Sequence, residues 1–194
     1  MKYIITERQS RLLEEPEKVL KIPSLKYFNN DWKVLQKFLE RRGYPPYSIS
    51  GDLNLWGNSI KSLGNLRNVG GDLNLYKTSI ESLGNLRNVG GYLNLLNTPI
   101  ESLGDLKHVE GYLSLYGTPI ESLGNLEYVG RYLNLEDTPI KSLGNLKYVG
   151  GSVNLNNTSI ESLGNLKHVG DSLKLEKTPI KSLGNLEYVG GYLY

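Results

Sequence analysis

The sequence predicts a repeat solenoid in which short parallel strands stack coil upon coil. Three observations predict it. From Gly51 onward the chain repeats every 20 residues with almost no drift, as units 51–70, 71–90, 91–110, 111–130, 131–150, 151–170 and 171–190, with a partial eighth at 191–194. Inside a unit, apolar residues first alternate with polar ones, as along a half-buried strand, and then recur every third position. No unit sustains a 3.6-residue period long enough for a helix.

Residues 1–50 do not repeat and are expected to form a short helical cap that covers the first coil. Thr6-Glu7-Arg8-Gln9 has the form of a capping box and opens a short helix. Pro16 breaks it, and a second helical turn is expected through Glu17–Ile22 before Pro23 stops it. Asn30-Asp31 caps a clearer helix whose apolar face is Trp32, Leu35, Phe38 and Leu39, with Gly43 at its end. Tyr44-Pro45-Pro46-Tyr47 is a stiff connector into the repeats.

The unit consensus is G-G-x-L-N-L-x-x-T-x-I-x-S-L-G-N-L-x-x-V. Leu73 and Leu75 alternate with Asp72, Asn74 and Tyr76, which predicts a strand. Ile80, Leu83, Leu86 and Val89 follow at three-residue spacing, which predicts a tight arc of turns or 3₁₀-like pieces. The apolar side chains of one unit cannot offset the ordering of its backbone, so units must pack on each other and share hydrogen bonds.

This spacing resembles the short, 20-residue class of bacterial leucine-rich repeats: Leu53-x-Leu55-x-x-Asn58-x-Ile60-x-x-Leu63-x-x-Leu66, over residues 51–190. The resemblance implies a horseshoe with one parallel sheet, an irregular or 3₁₀ convex side and a protein-binding role. Two departures matter. Asn58 alone keeps the family's asparagine; Thr78, Thr98, Thr118, Thr138, Thr158 and Thr178 replace it. The first leucine of each unit is also missing, and Val69 and its equivalents are expected to fill that space. Thr78, Ile80 and Ser82 alternate too, which keeps a parallel β-helix open as the rival fold.

Composition excludes several functions. The chain of 194 residues has no cysteine, so disulfides and thiolate chemistry are out. His108 and His168 share a repeat position three coils apart, ~14 Å, and cannot share a metal. They read as exposed surface residues. Glu81, Glu101 and Glu121 form a column that reads as a solvated charged row. The glycine pairs are followed by no Gly-Lys-Ser/Thr and belong to the coil bend. No enzyme, cofactor or metal is therefore expected. No stretch is long and apolar enough for a signal peptide or membrane span. The expected location is the cytoplasm, or the host's cytoplasm if the alanine-free, Asn- and Lys-rich composition reflects an AT-rich viral genome. With a net charge of +2, nucleic acid is not an expected partner. Lys18, Lys21, Lys26, Lys33, Lys37, Arg41 and Arg42 give the cap a basic bias that reads as a soluble helical surface.

Outward-pointing strand positions form the expected binding face. One column runs Asp52, Asp72, Tyr92, Tyr112, Tyr132, and another Trp56, Tyr76, Leu96, Tyr116. Trp56, Tyr76, Tyr92, Leu96, Tyr112, Tyr116 and Tyr132 concentrate in the first five units, the residue types that dominate interface energetics. The expected function is to present this face to a protein partner. The competing readings are a self-assembling structural solenoid, with self-association through the strand edge at Gly191-Tyr192-Leu193-Tyr194, and glycan or small-ligand binding.

Overall fold

In the computed structural model, which describes residues 18–194, every 20-residue unit is one coil of a parallel β-solenoid. Each coil gives one short strand to each of two sheets. The front sheet has seven strands: Leu53–Asn54, Leu73–Asn74, Leu93–Asn94, Leu113–Ser114, Leu133–Asn134, Val153–Asn154 and Leu173–Lys174. The back sheet has nine, the last seven being Leu66–Val69, Asn88–Val89, His108–Val109, Tyr128–Val129, Tyr148–Val149, His168–Val169 and Tyr188–Val189. Leu73 lies opposite Leu93, and Leu93 opposite Leu113, so each residue stacks on its own equivalent one coil away.

The L-N-L segment makes a strand that ends abruptly, and its asparagine ends it. The Oδ1 atoms of Asn54, Asn74, Asn94, Asn134 and Asn154 each accept the N–H two residues on, all at 3.1 Å. The turn then passes through a left-handed residue in every coil, with φ of 55° at Lys77 and 69° at Gly57. Thr78 and its equivalents close this corner from inside. Each hydroxyl donates to the carbonyl of the leucine three residues back, at 2.6 to 2.8 Å. These threonines pin their own coil and do not bridge to the next. Asn58 also bonds locally, to the Leu55 carbonyl at 3.1 Å.

The back half of the coil differs from the expected irregular or 3₁₀ arc: it is a second parallel sheet. Its N–H groups need acceptors, and the nearest lie at the same position one coil away. Arg87 N–H reaches the Arg67 carbonyl at 2.7 Å, and Gly90 N–H the Val69 carbonyl at 2.8 Å. Among the described residues the one 3₁₀ turn is Leu25–Phe28, outside the repeats. At the serine corner between the sheets, bridges join Ser82 to Ser102, Ser122 to Ser142, and Ser162 to Ser182. Coils therefore couple in pairs there. The gaps between pairs are spanned by side chains, Asn125 to the Gly104 carbonyl at 3.3 Å and Asn165 to the Gly144 carbonyl at 3.1 Å.

The cap follows expectation in its helix and departs from it before. Helix α1 spans Trp32–Glu40, and Asp31 Oδ1 accepts the Lys33 N–H at 2.7 Å. Trp32, Leu35 and Leu39 are buried and Phe38 is half-buried. The segment expected as a helical turn, Glu17–Ile22, instead holds the strand Leu20–Ile22, which pairs with Tyr47–Ile49. That strand in turn pairs with Leu66–Val69, so the back sheet runs on into the cap and its first coil is covered by hydrogen-bonded backbone. The capping box at Thr6–Gln9 lies outside the described residues. Tyr47 is buried, and its hydroxyl donates to the Leu63 carbonyl at 2.8 Å, tying cap to coil.

The inward columns of Leu, Ile and Val form one continuous core, essentially without solvent contact from Leu53 to Leu173, with Val69 and its equivalents among them. At residues 191–194, Leu193 bridges to Leu173 and stays half exposed. Among the described residues no helix is long and apolar enough to cross a membrane.

Candidate binding face

All seven expected contact residues lie on the outer side of the front sheet and its margins, and they gather in two columns. Trp56, Tyr76 and Leu96 stand at successive levels of one. The Trp56 and Tyr76 rings stack with centroids 6.2 Å apart and planes 30° apart. Lys77 Nζ lies 5.1 Å from the Tyr76 ring centre, and Asn97 Nδ2 is 3.5 Å from its hydroxyl. Trp56 is 60% exposed, while Tyr76 and Leu96 are half-buried. Tyr116, one level further, is exposed; its hydroxyl hydrogen bonds to Asp137, which raises the phenol pKa. Asp137 is held below the ordinary carboxylate range first by Asn157 and then by Tyr116.

The second column begins with carboxylates used as caps. Asp52 Oδ1 accepts the Asp72 N–H at 2.9 Å, and Asp72 Oδ1 accepts the Tyr92 N–H at 2.8 Å. Tyr92 is half-buried, and burial followed by Asp72 and Asp52 raises its phenol pKa. Tyr112 is 49% exposed with the Arg131 guanidinium 5.8 Å from its ring centre. Tyr132 is half-buried. Among the described residues no ring–ring contact joins Tyr92, Tyr112 and Tyr132, so their faces are not consumed by one another. The two columns are divided by the asparagine row that terminates the strands.

The charged rows are surface features. Glu121 pairs with Lys141 at 2.8 Å, and Glu161 with Lys181 at 2.9 Å. Among the described residues no three His, Cys, Asp or Glu side chains gather where a metal ion would sit. Lys18, Lys21, Lys26, Lys33, Lys37, Arg41 and Arg42 are exposed, and Arg42 lies 3.7 Å over the Phe38 ring.

One row went unrecognised in the sequence. On the back sheet, His108, Tyr128, Tyr148, His168 and Tyr188 form a continuous ring ladder. Centroid separations are 6.1, 5.1, 4.7 and 4.5 Å, and the last three pairs are within 12° of parallel. The row begins with asparagines: Asn88 Nδ2 donates to Asn68 Oδ1 at 2.7 Å, and His108 Nδ1 is 3.0 Å from Asn88 Oδ1. The histidines are thus half-buried members of a ladder and not isolated surface residues. The available signal was a ring at one repeat position in five successive units.

No family model matches the chain, and no curated protein or solved structure matches it either.

Proposed function

We propose that this chain is a non-enzymatic protein-binding module that docks a protein partner on its front sheet. The observation that carries the reading is the contrast between the two aromatic surfaces. The back-sheet rings spend their faces on each other, whereas among the described residues Tyr112 and Tyr116 stack on no other ring and are exposed, and Trp56, stacked on Tyr76, still keeps large area exposed above a fully packed coil. Rigid aromatics with polar tips on a preformed surface lose little entropy on binding. The leucine-rich-repeat resemblance supports the same role by analogy.

The test is capture from cell extract by the intact chain and by a Tyr76→Ala, Tyr112→Ala, Tyr116→Ala variant. The variant should fold and lose a partner that the parent retains. Equal capture by both removes the front sheet as the docking surface. A structural, self-assembling role is the second reading, supported by the uniform hydrogen bonding that makes the coils a stiff stack. Light scattering over a concentration series separates the two, since self-assembly requires mass to grow with concentration.

A further inference from the structure

The repeat is nearly perfect, so the places where it breaks are informative. The coil corner between the back and front sheets carries a Gly-Gly pair in most units, for a steric reason. A Cβ at Gly90 would lie 2.1 Å from the Gly70 carbonyl oxygen, and one at Gly91 would lie 2.0 Å from Asp72 Oδ1. Within the repeats, side chains nevertheless occur here at three corners, Asp171 at one and two more at adjacent corners. Glu110 replaces the first glycine in one, and Arg131 replaces the second in the next. The backbone ladder is kept, with Glu110 N–H on the Val89 carbonyl at 2.9 Å and Arg131 N–H on the Gly111 carbonyl at 3.1 Å. The outward residue of the coil before Arg131 is Tyr112, where coils one and two carry the capping Asp52 and Asp72.

The departures at Glu110 and Arg131 converge on one open cavity of about 380 Å³, lined by Asp72, Tyr92, Glu110, Tyr112 and Arg131. Among the described residues, neither the Glu110 carboxylate nor the Arg131 guanidinium has a hydrogen bond or ion pair. An unpaired acceptor, an unpaired forked donor and two tyrosine rings thus border the same space.

We propose that this cavity is a saccharide-binding site. A purely cationic ligand would meet Arg131, and a purely anionic one would meet Glu110 and Asp72. A neutral polyol satisfies both, donating hydroxyls to the carboxylates and accepting from the guanidinium. The C–H faces of a pyranose provide the apolar surface that Tyr92 and Tyr112 match. This goes beyond protein docking: the cavity shares Tyr92 and Tyr112 with the docking face but does not rest on that reading, because Glu110 and Arg131 lie outside the docking set.

The experiment is saturation-transfer NMR on the full chain with millimolar methyl glycosides of glucose, galactose, mannose and N-acetylglucosamine, and their disaccharides. Lysine and glutamate methyl amides serve as charged controls. At least one saccharide should bind, and Glu110→Gly and Arg131→Gly should each weaken it by about tenfold or more. Both variants restore residues that other coils carry, so they should melt no lower than the parent. Tyr112→Ala should abolish binding, and Trp56→Ala should leave it unchanged. Failure of every saccharide to bind, binding that survives Glu110→Gly with Arg131→Gly, or tighter binding of a charged control would each overturn the proposal.

Discussion

The rings of Tyr148 and His168 stack with centroids 4.7 Å apart and planes 7° from parallel. Tyr128 and Tyr188 extend the stack on either side, at 5.1 and 4.5 Å. Each such contact adds roughly 0.5–1.5 kcal/mol beyond area burial. Tyr148→Ala removes two of them and should lower unfolding free energy by about 1–3 kcal/mol in urea melts. Tyr148→Phe keeps both rings' contacts and should fall within about 0.5 kcal/mol of the parent.

Tyr47 joins cap to solenoid, and burial pushes its phenol well above the usual 10.0, with Gln36 partly opposing the rise. The folded state holds this proton more tightly than the unfolded state does. Stability is therefore undiminished below the unfolded value near pH 10 and is lost as pH rises toward the folded value. Alkaline melts should show the parent losing stability above about pH 10 more steeply than Tyr47→Phe. At pH 7 the same variant should be less stable by about 1 kcal/mol, because the Leu63 carbonyl loses the tyrosine hydroxyl at 2.8 Å and keeps only the Leu66 N–H at 3.3 Å.

The serine corners separate two glycines of identical sequence context. Gly144 and Gly164 both have positive φ, 59° and 55°. A Cβ on Gly144 would lie 2.4 Å from the Gly124 carbonyl oxygen, whereas one on Gly164 would meet nothing within 4 Å. Gly164→Ala should cost about 1–2 kcal/mol for the left-handed backbone alone. Gly144→Ala should cost roughly 1–3 kcal/mol more, since coils there are paired and backbone must move. Equal melting temperatures for the two variants would contradict the pairing.

Lys77 occupies a left-handed position that Gly57 and Gly117 fill without strain. Lys77→Gly should raise stability by up to about 1 kcal/mol, measurable as a shift in the urea midpoint.

Much of this architecture was legible in the sequence because its logic is local and repeated. Leu73 and Leu75 alternate with polar neighbours, and that pattern is the front strand. The back strand was hidden because Leu86 and Val89 are three apart, a spacing with no strand period. It forms through hydrogen bonds to the next coil, which one unit's pattern does not contain. The same blindness separated His108 and His168 into two surface residues, although Tyr128, Tyr148 and Tyr188 fill the same row. The expected contact residues were readable as outward strand positions. The roles of Glu110 and Arg131 were not, since their importance lies in which side chains surround them across three coils.

Register over the whole stack underlies every surface described here, and spin-label distances test it most directly. The chain has no cysteine, so Lys61→Cys with Lys181→Cys gives one labelled pair at the same repeat position, six coils apart. Electron–electron resonance should return a single narrow distance near 29 Å, from about 4.8 Å per coil. A broad distribution, or a peak displaced by one coil or more, would contradict coil-on-coil stacking and with it both proposed sites.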